Sequence, residues 1–305
     1  MKQNLLYRIT LCLTFFLVPL FALVFVQTGT ARAAESPVLI VDAEGLKIHA
    51  LLDRSGSMDV ALFNGPATPE QRNSYFQDGK TPSSINSFLV DARGRLFLVD
   101  AGYGPYGTGH SELLEQLASL GASPDKIRGV LLTHMHMDHI GGLLKDGKRA
   151  FPHAGILVAA PEIEYWLGKI NSDPNHPNAR LVREVMAAYG TDFLPPFAFG
   201  TELLPGVRAL DAVGHTPGHT VFHVQAGDRQ LLILGDLLHA AALQFPLPDE
   251  CPSYDQDVAA AIKSRKRILD MAAEKDIEVA GMHIPFPGSG KVSKEGSGYK
   301  FTPIK

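Results

Sequence analysis

The sequence predicts a domain of the α/β (α+β) class in which layered β-sheets carry helices on their outer faces. Strand patterns outnumber helix patterns, yet helices recur between the groups of strands. No Pro/Gly/Ser-rich linker divides the chain after its first 33 residues, and 45% hydrophobic with 20% charged residues is an ordinary globular balance. We therefore expect one domain over residues 34–305.

The first 33 residues have the composition of a secretory signal peptide. Lys2 and Arg8 precede an apolar run over residues 9–26, and Ala-Arg-Ala at residues 31–33 offers a small-x-small cleavage site. This predicts a periplasmic or secreted protein with no stable membrane insertion after cleavage. The run is long for a signal, so an uncleaved membrane anchor is the alternative, which Pro19 and the alanine-rich exit disfavour.

Charge and cysteine content narrow the class of protein. Without the three basic residues of the signal, 25 of the 28 basic residues remain against 32 acidic ones, a net charge of −7. Such a surface is a poor match for nucleic acid or anionic lipid. Cys12 lies in the predicted signal, so Cys251 is left alone and no internal disulfide can form. Cys251, which precedes Pro252 in a polar stretch, is interpreted as a spectator rather than a nucleophile.

The first half of the domain is predicted to run strand, strand, helix, strand. Residues 87–102, SFLVDARGRLFLVDAG, place two apolar runs around a turn at residues 92–94, which is typical of a β-hairpin. The following SELLEQLASLG has a leucine-rich helical face, with Ser111 as the expected N-cap and Gly121 as the stop. A short strand, IRGVLLTH, then leads into a cluster of histidines.

The middle of the chain contains a further strand and a helix start. GILVAAP, residues 155–161, is predicted to be a buried strand, and Pro161 suits the first turn of the helix that follows. Residues 171–180 hold two prolines and three asparagines, so we expect a loop there.

The last third predicts a second hairpin, a long helix and a final strand. The hairpin covers residues 220–236 with its turn at residues 226–228. The helix covers residues 257–274, and IEVAGMH is a strand that ends at His283. The apolar residues expected on the inner face of the helix are Val258, Ile262, Ile268, Leu269 and Met271.

The stretch THMHMDHIGG, residues 133–142, concentrates metal-capable side chains where a strand ends. Alternate side chains of an extended segment share a face, so His134 and His136 project together, and Asp138 and His139 follow at a glycine turn. Neutral imidazole and carboxylate suit zinc, iron, nickel or manganese. A chance cluster is the alternative, but this pattern should arise by accident in on the order of one chain in a thousand. The stretch therefore predicts a metal site.

Further candidate ligands lie at other strand ends. GHTPGHT, residues 214–220, offers His215 and His219, LGD offers Asp236, and AGMHIPFPG offers His283. A rigid strand holds such a residue while the following loop stays open, which is where sites are usually built. We expect these residues to complete the site.

THMHMDH, GHTPGHT, LGD and GMH, in this order and with these separations, resemble the metallo-β-lactamase superfamily over essentially the whole mature chain. The resemblance implies an αββα sandwich, with two mixed β-sheets, helices on the outer faces and two divalent metal ions at one edge. The ions are expected to be zinc, and iron, manganese and cobalt suit the same ligands. Asp100, at the end of the first hairpin, is implied to support the metal site from behind the ligands.

The resemblance also implies a ligand set. One metal is placed on His134, His136 and His219 and the second on Asp138, His139 and His283, with Asp236 bridging both. His215 is expected to support the site rather than to bind metal. His153, His176 and His223 match no motif and are interpreted as ordinary polar residues.

The implied reaction is hydrolysis by a hydroxide that bridges the two metals. Two metals about 3.5 to 4 Å apart lower the pKa of a bridging water enough to make hydroxide available near neutral pH. The metals polarise the carbonyl or phosphoryl oxygen under attack, and Asp138 and Asp236 are the candidates to carry the proton to the leaving group. The chain has no G-x-S-x-G and no complete G-x-x-x-x-G-K-[ST] motif, so serine-nucleophile and P-loop chemistry have no support.

The segments GDLLHAAALQFP and GMHIPFPGSG most closely resemble the branch that contains acyl-homoserine lactonases and methyl parathion hydrolases. Lactonases of this branch carry a tyrosine three residues after the bridging aspartate, and His239 stands there in this chain. This difference favours the phosphotriesterase-like members. We expect an exported hydrolase of a small-molecule ester, lactone or phosphotriester, and a homodimer is one assembly left open.

These motifs leave two questions open: which residues line the substrate pocket, and which class of reaction the site supports. Leu243, Phe245 and Phe286 adjoin the motifs and could form an apolar wall or simply pack in the core, while Phe151, Trp166 and Phe193 are too distant along the chain to assign. The same ligands could hold a single iron for a persulfide dioxygenase, or bind metal without turnover. Asp236 and His283 together favour two metals, and open, water-accessible positions favour catalysis.

Overall fold

A computed structural model describes residues 35–107 and 110–304. The predicted signal peptide, residues 1–33, lies outside the described residues. These form two large mixed β-sheets with helices on their outer faces, which confirms the predicted fold class. No helix in the described ranges has the length and apolar character needed to cross a membrane.

The first large sheet has six strands in the order β1-β2-β4-β5-β6-β9. Strands β1, β2, β4 and β5 pair antiparallel, whereas β5, β6 and β9 run parallel to one another. The bounds are β1 (Val38–Ala43), β2 (Leu46–Asp59), β4 (Lys80–Ala92), β5 (Arg95–Val99), β6 (Ile127–Leu131) and β9 (Gly155–Leu157).

The second large sheet has seven strands in the order β10-β11-β12-β13-β15-β16-β17. Only the β13 and β15 pairing in it is parallel. The bounds are β10 (Glu202–Leu204), β11 (Val207–Asp211), β12 (Thr220–Ala226), β13 (Arg229–Ile233), β15 (Glu278–Ala280), β16 (Ser289–Glu295) and β17 (Gly298–Pro303). Two small antiparallel pairs complete the strands, β3 (Phe63–Asn64) with β14 (Cys251–Pro252) and β7 (Leu144–Lys145) with β8 (Lys148–Arg149).

The helices cover the outer faces of the two sheets. They are α1 (Pro69–Asn73), α2 (Leu113–Ser119), α3 (Met137–Ile140), α4 (Ala160–Ser172), α5 (Pro177–Tyr189), α6 (Ala241–Gln244) and α7 (Val258–Glu274). One apolar core joins the first sheet to α2, α4 and α5, and another joins the second sheet to α7. A third core lies between the sheets, where Phe88 of the first sheet and Phe222 of the second are both fully buried. These three cores define four layers.

Both predicted hairpins are confirmed. Ala92 pairs with Arg95 at the β4–β5 turn, and Ala226 pairs with Arg229 at the β12–β13 turn. The 14-residue strand β2 and the β16–β17 hairpin did not emerge from the sequence, because both contain long polar runs on their exposed ends. Tertiary pairing with β4 and β15 outweighs the local composition of these segments.

Several local predictions were wrong. Helix α2 begins after Glu112, and Ser111 is not its N-cap because the Ser111 hydroxyl donates a hydrogen bond to Asp53 instead. The expected loop over residues 171–180 is confined to residues 173–176. Pro177 opens α5, and His176 accepts a hydrogen bond from Ala179 N, so this proline starts a helix rather than extending a loop.

The ends of three further elements also differ from the predictions. Strand β9 stops at Leu157, and β15 stops at Ala280, so His283 lies in the loop that follows. Helix α7 begins at Val258 rather than at Asp257, which is its N-cap, and Val258 itself is 49% exposed. The inward face starts one turn later, and its buried members are Ala261, Ser264, Arg265, Ile268, Leu269 and Ala272.

Candidate metal centre

The histidine-rich turn after β6 meets three loops of the second sheet. Two groups of side chains could each hold a metal ion, since the candidate ligand atoms of each group lie within 4.8 Å of one another. The first group is His134, His136, His215 and Asp236, and the second is Asp138, His139, Asp236 and His283. Asp236 belongs to both groups.

The local backbone explains how one stretch serves both groups. His136 is extended, with φ −73° and ψ 159°, and the short helix α3 starts directly after it. The extended part directs His134 and His136 to one place, where His134 Nε2 and His136 Nδ1 are 2.9 Å apart. The helical turn then presents Asp138 and His139 to the other group. A Cβ on Gly142 would lie 1.9 Å from the Ala101 carbonyl oxygen, so this turn can pack only if residue 142 has no side chain.

Asp100 fixes the orientation of His139. The His139 Nδ1–H group donates to Asp100 Oδ2 at 2.7 Å, which leaves Nε2 directed at Asp236 Oδ1, 3.0 Å away. Thr133 holds the same carboxylate through its hydroxyl and its backbone N–H, at 2.7 and 2.8 Å. Asp100 therefore stands behind a candidate ligand, which is the position that the resemblance implies for it.

Glu162 on α4 is a fully buried carboxylate that joins two ligand-bearing segments. It accepts hydrogen bonds from Met135 N at 2.9 Å, between His134 and His136, and from Trp166 Nε1 at 2.8 Å. Its other oxygen accepts from Thr216 Oγ1 at 2.6 Å and Gly218 N at 3.1 Å, beside His215. A Cβ on Gly218 would lie 2.3 Å from Glu162 N, so the loop and the helix touch backbone to backbone. Sequence reasoning did not single out Glu162.

The two histidines of GHTPGHT occupy positions opposite to those expected. His215 Nε2 lies 2.9 Å from His136 Nδ1 and 3.3 Å from Asp236 Oδ2, inside the first group. His219 instead has both ring nitrogens on the backbone, because Nδ1 contacts Ala212 O at 2.9 Å and Nε2 accepts from Asp236 N at 2.8 Å. His219 has no nitrogen left for a metal, so the geometry replaces it with His215.

Asp255 and the backbone hold the two remaining candidate ligand histidines, His215 and His283. Asp255 Oδ1 lies 2.8 Å from His215 Nδ1, which turns Nε2 of His215 toward Asp236. His283 Nδ1 donates to Ser84 O at 3.0 Å, and its Nε2 lies 3.2 Å from Asp236 Oδ2 and 3.3 Å from Asp138 Oδ2. His215 and His283 thus each use one nitrogen for support and the other for the centre.

His239, whose role the sequence left open, also faces Asp236. Its Nε2 lies 3.0 Å from Asp236 Oδ2, and its ring stacks on His283 with centroids 5.0 Å apart. Its backbone N–H donates to Gln244 Oε1 at 2.7 Å, which holds the loop in place.

The electrostatics divide the histidines of the centre into two sets. Burial opposes protonation of His139, His215 and His283, but the carboxylates around them, Asp236 first, outweigh burial and raise their pKa values, to about 9 for His215 and about 10 for His283. These three imidazoles must lose a proton when a metal binds.

Burial holds the other histidines neutral. Burial, reinforced by His139, holds the pKa of His134 well below its usual value, and burial with His215 does the same for His136. Burial lowers the pKa of His219 to about 3. Burial opposes ionisation of Asp236, but the histidines around it, His139 first, outweigh this and hold its pKa well below the usual range. Neutral imidazoles and an ionised carboxylate are the forms that bind divalent metals.

The polar atoms of the centre are not satisfied by one another. His136 Nδ1 lies 2.9 Å from both His134 Nε2 and His215 Nε2. Because a ring nitrogen carries at most one hydrogen, His136 Nδ1 cannot donate a good hydrogen bond to both of these nitrogens. His139 Nε2 and Asp236 Oδ1 are buried and lie 3.0 Å apart, yet neither atom makes a hydrogen bond of good geometry in the described part of the chain. Unpaired buried groups are costly, whereas a cation between them would satisfy them all. The residues therefore fit divalent metal binding.

The apolar candidates near the motifs are core residues. Phe245 stacks on Phe301 with centroids 4.8 Å apart, and Leu243 is fully buried beside Phe63. Phe286 packs against the core between the sheets. Among the residues left unassigned, Trp166 does reach the centre, with its ring edge-on to His136 at 5.8 Å. Glu162 and Trp166 are spaced i, i+4 on one helix, which predicts that their side chains are neighbours. That spacing alone does not place them at the metal centre, because the contact of α4 with His136 is visible only in the structure.

The unmatched residues behave as expected. His153 is exposed, His176 caps α5, and His223 bonds to Gln230 across a hairpin at 2.8 Å. Cys251 is only 2% exposed and lies 3.4 Å from Arg265 Nη1. Burial raises the pKa of the Cys251 thiol, which makes it a poor nucleophile.

Known proteins share this sequence pattern and fold. Residues 81–275 match the family model of the metallo-beta-lactamase superfamily. N-acyl homoserine lactonase AiiA of Bacillus thuringiensis subsp. kurstaki is 26% identical over 196 residues, which cover 63% of this chain and 70% of AiiA. Metallo-beta-lactamase domain-containing protein 1 of Mus musculus is 30% identical over 242 residues, 76% of this chain and 75% of that protein.

Two solved structures match over most of their length. The hydrolase AbOPH, described as belonging to the beta lactamase superfamily, superposes with a TM-score of 0.82 at 27% identity, covering 90% of this chain and 99% of that one. AidC, described as a dizinc quorum-quenching lactonase in complex with a product, gives a TM-score of 0.77 at 24% identity and covers 88% and 98%. The second likeness concerns the fold alone.

Proposed function

Because the chain belongs to the metallo-beta-lactamase superfamily, and is a metal-dependent hydrolase of that fold, we propose that it cleaves a small-molecule lactone or related ester with two divalent metal ions. The observation that carries this proposal is that the Asp236 carboxylate belongs to two separate ligand groups. Oδ1 of Asp236 faces His139 of the second group at 3.0 Å, and Oδ2 lies between His215 of the first group at 3.3 Å and His283 of the second at 3.2 Å. One carboxylate between two groups is the arrangement expected of a bridging ligand.

We propose one metal on His134, His136 and His215 and a second on Asp138, His139 and His283, with Asp236 shared. This assignment keeps the expected set except that His215 takes the place of His219. Zinc is the proposed metal, and iron, manganese and cobalt suit the same ligands. Bound there, the ions would polarise the carbonyl or phosphoryl oxygen under attack and lower the pKa of a water molecule.

Asp138 is the residue proposed to accept the proton of the attacking water. Burial raises the pKa of Asp138, but His139 and His283 outweigh burial and lower it, so the carboxylate is ionised. It is 6% exposed, more than the buried histidines beside it, and therefore lies on the solvent side of the centre. An ionised carboxylate next to the nucleophile can take a proton and pass it to the leaving oxygen.

A lactone is the first proposed substrate because several curated relatives are N-acyl homoserine lactonases. A phosphotriester is the second, and the observation that favours it is His239, which contacts Asp236 where lactonases of the resembled branch carry a tyrosine. A small molecule fits either case. The acidic charge of the mature chain gives no support to nucleic acid as a partner.

We further propose that the protein is exported and acts in the periplasm or outside the cell, on the strength of the signal pattern in residues 1–33. Amino-terminal sequencing of protein from the periplasmic or secreted fraction tests this. A mature terminus near Ala34 is expected, and an intact Met1 in the membrane fraction would instead indicate an anchor.

The function is tested with purified mature protein, its metal content by mass spectrometry, and turnover of a lactone, a phosphotriester, an aryl ester, a thioester and a β-lactam. We expect about two metal equivalents per chain and turnover of the lactone or the phosphotriester that a chelator abolishes. Oxygen uptake with a persulfide and one equivalent of iron would contradict the proposal. Two metals without turnover of any substrate would indicate a metal-binding protein instead.

A matched pair of histidine variants links turnover to the centre. His136→Ala should lower metal content and reduce turnover by more than about 100-fold. Substitution of a residue that only supports a metal ligand costs up to roughly 100-fold, and loss of the ligand itself should cost more. His153→Ala removes an exposed histidine that belongs to neither ligand group, so it should change neither metal content nor turnover. Equal activity in the two variants would remove the centre from the reaction.

A further inference from the structure

Tyr254 carries a buried hydroxyl that has no hydrogen-bond partner in the described part of the chain. Its ring lies against two histidines of the centre, 5.0 Å from His239 and 5.9 Å from His215 between centroids. Both histidines contact Asp236 Oδ2, at 3.0 and 3.3 Å. The Tyr254 ring therefore contacts histidines that themselves contact the Asp236 carboxylate. A buried hydroxyl without a partner costs free energy, which calls for a ligand that supplies one.

The segment that carries Tyr254 is held firmly against the metal-binding loop. Gln256 N donates to His215 O at 3.2 Å, and Asp257 N donates to Gly214 O at 2.8 Å. The neighbouring Asp255 bonds to His215 Nδ1 at 2.8 Å and lies 3.6 Å from Arg265 Nη2. The segment of Tyr254 is thus held by the same contacts that orient His215, so the tyrosine ring lies on a rigid support beside the centre.

Two buried atoms near Asp236 without hydrogen-bond partners, His239 Nδ1 and the Tyr254 hydroxyl, differ in whether they can donate a hydrogen bond to a substrate. His239 Nε2 faces a carboxylate oxygen, which only accepts, so Nε2 carries the proton and the unpartnered Nδ1 is an acceptor. A hydroxyl can donate. Once the metal ligands are set aside, the Tyr254 O–H is the donor available to an oxygen of the substrate among the unpartnered buried atoms described around Asp236.

We propose that Tyr254 is a catalytic residue whose hydroxyl donates a hydrogen bond to the carbonyl or phosphoryl oxygen under attack. The inference rests on the proposed hydrolase function of the same centre. In the reaction, water adds to carbon or phosphorus, the bond to the leaving oxygen breaks, and the proton released by water ends on that leaving oxygen. Tyr254 keeps its own proton throughout and stabilises the negative charge that develops on the oxygen it contacts.

Tyr254→Phe tests the proposal because it removes one oxygen atom and keeps the ring against His239. We expect kcat/KM to fall about 100-fold, mainly through kcat, as on loss of one donor to a developing oxyanion. Metal content should be unchanged. The fall should also be equal across a series of aryl esters whose leaving groups differ in pKa. A penalty that grows with leaving-group pKa, or a change below about threefold, would overturn the proposed contact.

Binding of inorganic phosphate gives a readout that does not depend on turnover. Phosphate presents tetrahedral oxygens to the metal-loaded centre, and calorimetry should show about tenfold weaker binding to Tyr254→Phe, the value of one lost hydrogen bond. Equal affinity, or no binding by the unaltered protein, would overturn the role of Tyr254. Should the unaltered protein hydrolyse no substrate yet bind phosphate through Tyr254, the proposed function fails while the donor role stands.

Tyr106→Phe is the matched control. Tyr106 is 36% exposed and its hydroxyl bonds to Glu184 at 3.1 Å, so this phenol already has a partner outside the centre. We expect turnover, phosphate affinity and metal content within twofold of the unaltered protein for this variant. A similar loss in both variants would show that removal of a phenol oxygen acts through stability, which thermal unfolding of each protein measures.

Discussion

The two halves of the metal centre are built in different ways. The first half comes from one short segment, residues 134–139, whose extended and helical parts direct each side chain locally. The second half comes from separate loops that deliver His215, Asp236 and His283. A contiguous segment fixes side-chain direction through its own backbone, whereas dispersed residues take their direction from tertiary contacts. The sequence is therefore a better guide to the first half than to the second.

The pair His215 and His219 shows the difference most clearly. Both lie in the heptapeptide GHTPGHT, in which the triplet Gly-His-Thr occurs twice. The local pattern therefore gives no reason to prefer either histidine as the metal ligand. The choice depends on Asp255, which turns His215 toward Asp236, and on the backbone of Ala212 and Asp236, which occupies His219. These partners are distant along the chain or depend on how the loop folds.

The largest expected effect comes from substituting these two histidines by glutamine. His215→Gln should reduce kcat/KM by more than about 100-fold and lower metal content, because a ligand is lost. His219→Gln should retain more metal and activity, and instead lower the free energy of unfolding by about 1 to 3 kcal/mol, because buried backbone groups lose their partner. Kinetics, metal analysis and thermal unfolding of both variants decide. The reverse pattern would restore His219 as the ligand.

An intermediate effect is expected at Glu162, which ties the two halves together from α4. Its bonded groups include two backbone N–H groups and an indole N–H, so the amide of Glu162→Gln would turn a donor toward donors. We expect a 10- to 100-fold loss of metal affinity or kcat/KM, as for other changes behind a ligand. Metal titration and kinetics measure this.

Glu164→Gln provides the control for that experiment, since Glu164 is exposed on the same helix. It changes the net charge equally but touches neither ligand segment. If both variants lose activity to the same extent, the loss comes from charge and not from the contacts of Glu162 with the ligand segments.

The smallest effect is expected at Cys251, which lies in β14 and belongs to neither half of the centre. A serine there can still accept from Arg265, whose Nη1 is 3.4 Å from the sulfur. Cys251→Ser should therefore keep kcat/KM within about twofold, and a thiol-blocking reagent should leave the native enzyme active. Activity loss above tenfold on blocking would show that the thiol takes part in the reaction.

Much of the fold could be predicted because its elements have regular patterns. Both hairpins and α7 follow from alternation and helical spacing, and Pro161 marks the start of α4. Elements whose stability comes from distant pairing, such as the polar end of β2, carry no such local pattern. The position of Ser111 could not be predicted because it depends on Asp53, 58 residues earlier.

The site follows the same rule. Six of the seven proposed ligands were expected from their motifs, and His215 was not. Glu162, Asp255, Trp166 and Tyr254 reach the centre from α4 and from the loop before α7, and none of them lies in a recognisable motif. Their contribution is visible only when the two layers are brought together.

The bare backbone contact at Gly218 has a consequence for laboratory evolution of this enzyme. No larger residue can enter at position 218 without moving the first turn of α4, since Glu162 N lies where its Cβ would be. Pro217, the adjacent position, is exposed. A saturation library across this loop should therefore return a wide choice of residues at 217 and glycine alone at 218, and new substrate preferences will have to be selected elsewhere.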